Sequence, residues 1–217
     1  MNTKRKIILV VTIFAILLTS AMGWSAELPF GKSFHYNLLL DGKEIGTFVI
    51  TSGEPREEDG KEVLDISRLQ AFDNMPGFPP GSRVVEKVTI ELPDMKPILY
   101  LVDQDLKIQR SKVMYEFDYE ASKIFVTQQM GENKITIEDE LPEGVVDGIT
   151  ADILPFTWEL EEGREYEIKV VGLGTVTYKV IGKETISTPL GDFPAMKLET
   201  KSATAKSTTW YLSLIHI

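Results

Sequence analysis

The chain has 217 residues, with 23 Lys+Arg against 33 Asp+Glu, a formal charge of −10 and no cysteine. The missing thiol excludes disulfides, thiolate zinc sites and cysteine-held iron–sulfur clusters. The acidic balance argues against broad contact with a phosphate backbone, which needs a basic surface, so no nucleic-acid partner is expected.

Met1–Ala26 reads as an export signal. Lys4, Arg5 and Lys6 form a positive start, Ile7–Leu18 is apolar apart from Thr12, and Thr19-Ser20-Ala21-Met22-Gly23 supplies the small residues a signal peptidase needs. A spanning helix needs about 20 apolar residues, and this run is shorter. Cleavage within residues 23–26 is therefore expected, leaving no membrane span and a periplasmic or otherwise extracytoplasmic product. At the other end, Leu212–Ile217 matches the translation of a transposon end used in sequencing adapters. These six residues are expected to be a non-native tail, with the true frame lost after Tyr211. Residues 27–211 are read as one domain, and without the two ends it carries 20 positive and 33 negative residues, net −13.

The first extended runs are Phe34–Leu40 and Ile45–Ile50, separated by Asp41-Gly42. Asp59-Gly60 precedes a third, Val63–Phe72; both Asp-Gly steps suit tight hairpin turns, which demand positive φ. Val84, Val88, Ile90 and Leu92 share a face that Glu86 interrupts. Val113, Tyr115, Phe117 and Tyr119 alternate with Lys112, Glu116 and Asp118, with Met114 as the exception; Ile135 and Ile137 alternate with Lys134, Thr136 and Glu138. Period two returns at Tyr166, Ile168 and Val170, at Val176, Tyr178 and Val180, and at Met196 and Leu198. Such alternation marks strands with one buried face, and their spacing of roughly 8–12 residues marks an antiparallel architecture. The expected class is all-β, mainly antiparallel, as a strongly curved or barrel-like sheet. One short helix is expected near 145–154, with Asp147 as its N-cap and Pro155 as its stop.

The segment Phe72–Gly81 is unusual, with three prolines and two glycines beside Phe72, Met75 and Phe78. It reads either as a lip over an apolar cavity, with Met adapting to a ligand, or as a rigid loop that covers the end of the core.

Chemistry-bearing motifs are scarce. Outside the terminal tail the only histidine is His35, on the first predicted strand, and a lone strand histidine is more often packed or exposed than basic in function. No nucleophile elbow, phosphate loop, dinucleotide fingerprint or His-Glu-x-x-His pair is present. Asp103 and Asp105 begin a calcium-loop spacing that Lys107 interrupts. No enzyme activity, cofactor or metal is expected; a carboxylate-based hydrolase is the remainder.

The C-terminal half carries a distinctive arrangement. Asp147-Gly148-Ile149-Thr150-Ala151 opens the helix, and Glu162-Gly163-x-x-Tyr166-x-Ile168-x-Val170 follows. Thr188-Pro189-Leu190-Gly191-x-Phe193-x-Ala195 comes next, and then Thr209-Trp210-Tyr211. With Tyr36 and Gly42-x-x-Ile45-Gly46 near the start, the chain resembles the secreted bacterial family known as domain of unknown function 3108, over roughly Phe34–Tyr211. The resemblance implies an extracytoplasmic β-rich protein and brings no reaction, cofactor or catalytic residue; members of that family continue past the Trp-Tyr pair with a further strand.

Two functions follow as expectations. In the first, the sheet interior binds an apolar small molecule or lipid, with Tyr36, Phe72, Met75, Phe78, Tyr115 and Phe117 as the candidate ligand-binding residues. In the second, the chain is a structural or assembly module that acts through another envelope protein.

Overall fold

The computed structural model describes residues 7–10, 30–40, 43–188, 191–203 and 205–212. Most of the expected signal, the Asp41-Gly42 turn, the Pro189-Leu190 step and residues 213–217 of the expected tail lie outside them, and so does the side chain of Tyr36. The chain forms two compact units, one from Phe30–Leu141 with the segment Ile7–Val10, the other from Pro142 onwards.

The first unit is a ten-stranded antiparallel meander. Its strands are β1 (Ile7–Val10), β2 (Ser33–Leu40), β3 (Lys43–Ser52), β4 (Arg56–Glu58), β5 (Lys61–Phe72), β6 (Ser82–Glu91), β7 (Lys96–Asp105), β8 (Arg110–Asp118), β9 (Lys123–Met130) and β10 (Asn133–Glu140). They pair in chain order, except that β3 and β4 share one side of β5. Sequential antiparallel pairing is the arrangement that short connections allow. At Asp59-Gly60 both central residues have positive φ, 51° and 78°, the geometry of a tight hairpin whose twist matches its strands.

Leu64 and Ile90, Cα partners across β5 and β6, are fully buried, and Ile66 and Val88 beside them are nearly so. Two short-range devices hold β3 against β5. The Ile45 carbonyl accepts from the Asp73 and Asn74 amides, and Gly46 lets the Ala71 backbone approach so closely that a Cβ there would sit 2.0 Å from the Ala71 oxygen. Ile45 and Gly46 end the Gly42-x-x-Ile45-Gly46 pattern, whose glycine thus has a steric reason.

The second unit has five strands, β11 (Val145–Val146), β12 (Glu165–Val170), β13 (Gly174–Thr188), β14 (Gly191–Lys201) and β15 (Lys206–Leu212), paired in that order. β11 runs parallel to β12 and the rest are antiparallel. Helix α1 (Gly148–Ile153) and a 3₁₀ turn (Leu154–Thr157) follow β11. Val146 and Ala151 join Val170, Val176, Tyr178, Val180, Leu198 and Tyr211 in one core, with Leu154 and Phe156 packed against it.

The all-β class with one short helix is what the alternation predicts. Neither sheet closes on itself, so the barrel-like form does not arise. The helix is also shorter than its apolar stripe suggests. Asp147 is indeed the cap, but a cap residue is extended, so Val145 and Val146 before it pair with β12 as a strand. Pro155 does not stop the chain turning; it opens the 3₁₀ turn, where a missing N–H costs nothing.

Candidate functional site: an ion pair within an apolar sheet face

Directly paired residues of an antiparallel sheet point to the same face, so the register lists what each face carries. One transverse row of the first unit is Ile66, Val88, Tyr100, Tyr115, Val126 and Ile137, running from β5 to β10. The next row on the same face is Ile50, Arg68, Glu86, Val102, Val113, Gln128 and Ile135. An Arg and a Glu therefore sit side by side among side chains that are apolar or aromatic except for Gln128.

Arg68 grips Glu86 through two hydrogen bonds, Nε to Oε2 at 2.6 Å and Nη2 to Oε1 at 2.7 Å. The Tyr100 hydroxyl donates to the same Oε1, and the Arg68 guanidinium carbon lies 5.9 Å from the centroid of the Phe48 ring. The side chains of Arg68 and Glu86 are 12% and 8% exposed. Burial pushes the Glu86 carboxyl up, but the hydrogen bond and charge of Arg68, with the Tyr100 hydrogen bond, outweigh it and hold the carboxyl below its ordinary range. Glu86 is thus a committed anion, not a poised acid.

Exposure rises steadily along the first row. Ile66, Val88 and Tyr100 are buried, Tyr115 and Val126 are half-buried, and Ile137 is 59% exposed. In the second row Val102 and Val113 are half-buried and Ile135 is 63% exposed. In these two rows the end towards β5 is closed core and the end towards β10 is open, while Phe117 and Ile124 in the row beyond Tyr115 and Val126 stay buried. Tyr115 marks the boundary. Its ring stacks on Tyr100 at 5.6 Å, partial burial raises its phenol, and its hydroxyl makes no hydrogen bond among the described residues.

The residues singled out from the sequence divide into separate places. Tyr115 lies on the open half, while Phe117, two residues on, is buried and stacked with Tyr119 at 6.4 Å. Tyr36 is the Cα partner of Phe48 on β3. Phe72 stands at the far end of β5, six residues from Ile66, or roughly 20 Å along the strand. There it packs against Phe78 at 5.1 Å, with Met75 part-buried in the same loop. That loop is fastened by Phe78 N–H to Met75 O (3.1 Å), Gly81 N–H to Phe72 O (2.8 Å) and the Ser82 hydroxyl to Pro79 O (2.6 Å). Tyr115 and the loop residues thus belong to different ends of the sheet. Arg68 and Tyr100 escape a reading by alternation alone. Their signal is Glu86, a carboxylate at an inward position, which must find a cation and donors on adjacent strands.

The second unit holds another buried carboxylate. Asp147 is fully buried and accepts from Ile149 N–H (2.7 Å), Thr150 N–H (3.1 Å) and the Thr150 hydroxyl. Burial nevertheless lifts its carboxyl above the ordinary range. Every one of these bonds is local to α1, so the group is a helix cap. Among the described residues no three His, Asp or Glu side chains gather as a metal site, and no helix is long and apolar enough to cross a membrane.

No curated protein and no solved structure matches the chain. A family model does, that of a protein of unknown function, DUF3108, over residues 33–215. That span takes in both sheets, from β2 to β15, and on it the chain belongs to the DUF3108 family.

Proposed function

We propose that this chain is an exported, extracytoplasmic binding protein, not an enzyme, that holds an apolar or lipid-like molecule against the open half of the first unit's apolar face. The observation that carries this reading is the exposure gradient from Tyr100 through Tyr115 to Ile137. Water contact with Val102, Val113, Tyr115 and Val126 is unfavourable by about 25 cal/mol per Å², so an apolar guest that covers them is favoured. The free Tyr115 hydroxyl gives such a guest one polar anchor, and the Arg68–Glu86 pair, already neutralised, sets a floor that is polar but not charged overall. Export is supported by the Lys4–Lys6 start and the apolar run after it.

Native mass spectrometry of the protein purified from the envelope tests this. A small molecule should accompany the chain, and Val113→Asp, which places a charge on the open half, should strip it while the circular dichroism spectrum stays β-type. Spectra of the bare polypeptide only, together with no uptake of a fluorescent apolar probe, would defeat the reading.

A further inference from the structure

We propose that β10 is a self-complementary edge through which two copies of this chain pair antiparallel, with the two-fold axis passing through Thr136. All eight residues of β10 are exposed, and among the described residues its only strand partner is β9. A long open edge with paired isoleucines on one face is a template for another strand, which proteins otherwise blunt with like charges, proline or a bulge. No proline and no register shift interrupts Asn133–Glu140, and its charges are of both signs, Lys134 towards one end and Glu138, Asp139 and Glu140 at the other, so they select among registers.

The free edge has a definite phase. The Leu141 amide donates to Ser122 O at 2.9 Å, one step beyond the Glu140–Lys123 pair. Backbone groups alternate sides along a strand, so odd-numbered residues of β10 turn their N–H and C=O towards β9. Lys134, Thr136 and Glu138 therefore present theirs at the open edge.

An antiparallel copy centred on Thr136 matches over Asn133–Asp139, with Glu132 against Glu140 as the like-charge contact at its rim. Lys134 meets Glu138 of the second copy, Ile135 meets Ile137, Thr136 meets Thr136, and Asn133 meets Asp139. The three outward-facing positions exchange backbone hydrogen bonds, the four isoleucines gather on one face, and two ion pairs form on the other. Lys134 has no ion-pair partner among the described residues, whereas Glu138 is paired with Lys123 of its own chain, so the cation is the group that gains most. Shifting the axis to Ile135 would place Glu132 against Glu138, and shifting it to Ile137 would place Ile135 against Asp139. Charge and apolarity together select Thr136. Such an isologous contact closes as a dimer.

Charge reversal on the full chain tests the register. Sedimentation should show a dimer, and Lys134→Glu or Glu138→Lys alone should weaken it by about tenfold or more, since each opposes like charges twice. The double variant Lys134→Glu/Glu138→Lys restores complementarity and should restore the dimer. Independently, because the chain has no native cysteine, Thr136→Cys should give a disulfide-linked dimer on mild oxidation and Lys112→Cys should not. A monomer at the highest soluble concentration with no Thr136→Cys crosslink, or a double variant no tighter than the singles, would overturn the proposal.

Discussion

Arg68 and Glu86 are Cα partners on adjacent strands, and their side chains meet in parallel across the pair at 2.6 and 2.7 Å, both within an apolar face. Breaking such a pair leaves one buried charge without its counter-ion, which typically costs about 3–5 kcal/mol. Glu86→Leu and Arg68→Met should each destabilise the protein on that scale in urea unfolding, and the double variant should recover most of the loss. Because the folded Glu86 carboxyl lies below its unfolded value, its stabilisation is full above the ordinary carboxylate range and is lost as pH falls through the folded value. Acid unfolding should therefore shift to higher pH in Tyr100→Phe, which removes one donor from the anion.

Gly46→Ala should destabilise the first unit by about 2 kcal/mol or more, because the new methyl group would overlap the Ala71 carbonyl at 2.0 Å. The obstacle is backbone in a paired strand, which has no rotamer to yield. The denaturant midpoint would show this directly, with the slope unchanged.

Asp147→Ala should cost about 1–2 kcal/mol through loss of the cap. Asp147→Asn keeps an acceptor for the Ile149 and Thr150 amides without a buried charge, so it should cost less. The sign with pH is opposite to that of Glu86. Burial raises the folded carboxyl, so its contribution is full below the ordinary carboxylate value and declines as pH rises through the folded one. Thermal unfolding at several pH values, with Asp147→Asn lacking this dependence, checks the assignment.

Tyr211 should ionise only when the second unit opens. Burial holds its phenol well above the ordinary tyrosine value, and its hydroxyl donates to Asp152 O at 3.3 Å in a site where it also packs edge-on to Phe156 at 5.2 Å. Neutral phenol is the folded form, so stability is retained below the ordinary phenol range and lost as pH rises beyond it. An alkaline absorbance titration should show a late step coincident with unfolding, and Tyr211→Phe should remove that step.

What the residues determined by themselves was local: where strands run, which side of each is apolar, and where turns and the helix cap fall. Alternation with period two follows from the backbone pleat of a single strand, and the Asp59-Gly60 turn and the Asp147 cap each depend on a few adjacent residues. Even Glu86 could be seen as a breach in its face. Only tertiary pairing decided what fills that breach, because Arg68 and Tyr100 lie 18 and 14 residues away and reach Glu86 through the registers of β5–β6 and β6–β7. The same is true of the open half of the face. Tyr115 and Phe117 read alike in the strand pattern, yet one is half-buried and the other closed in the core. Burial depends on which other strands cover a position, and that is a property of the assembled sheet.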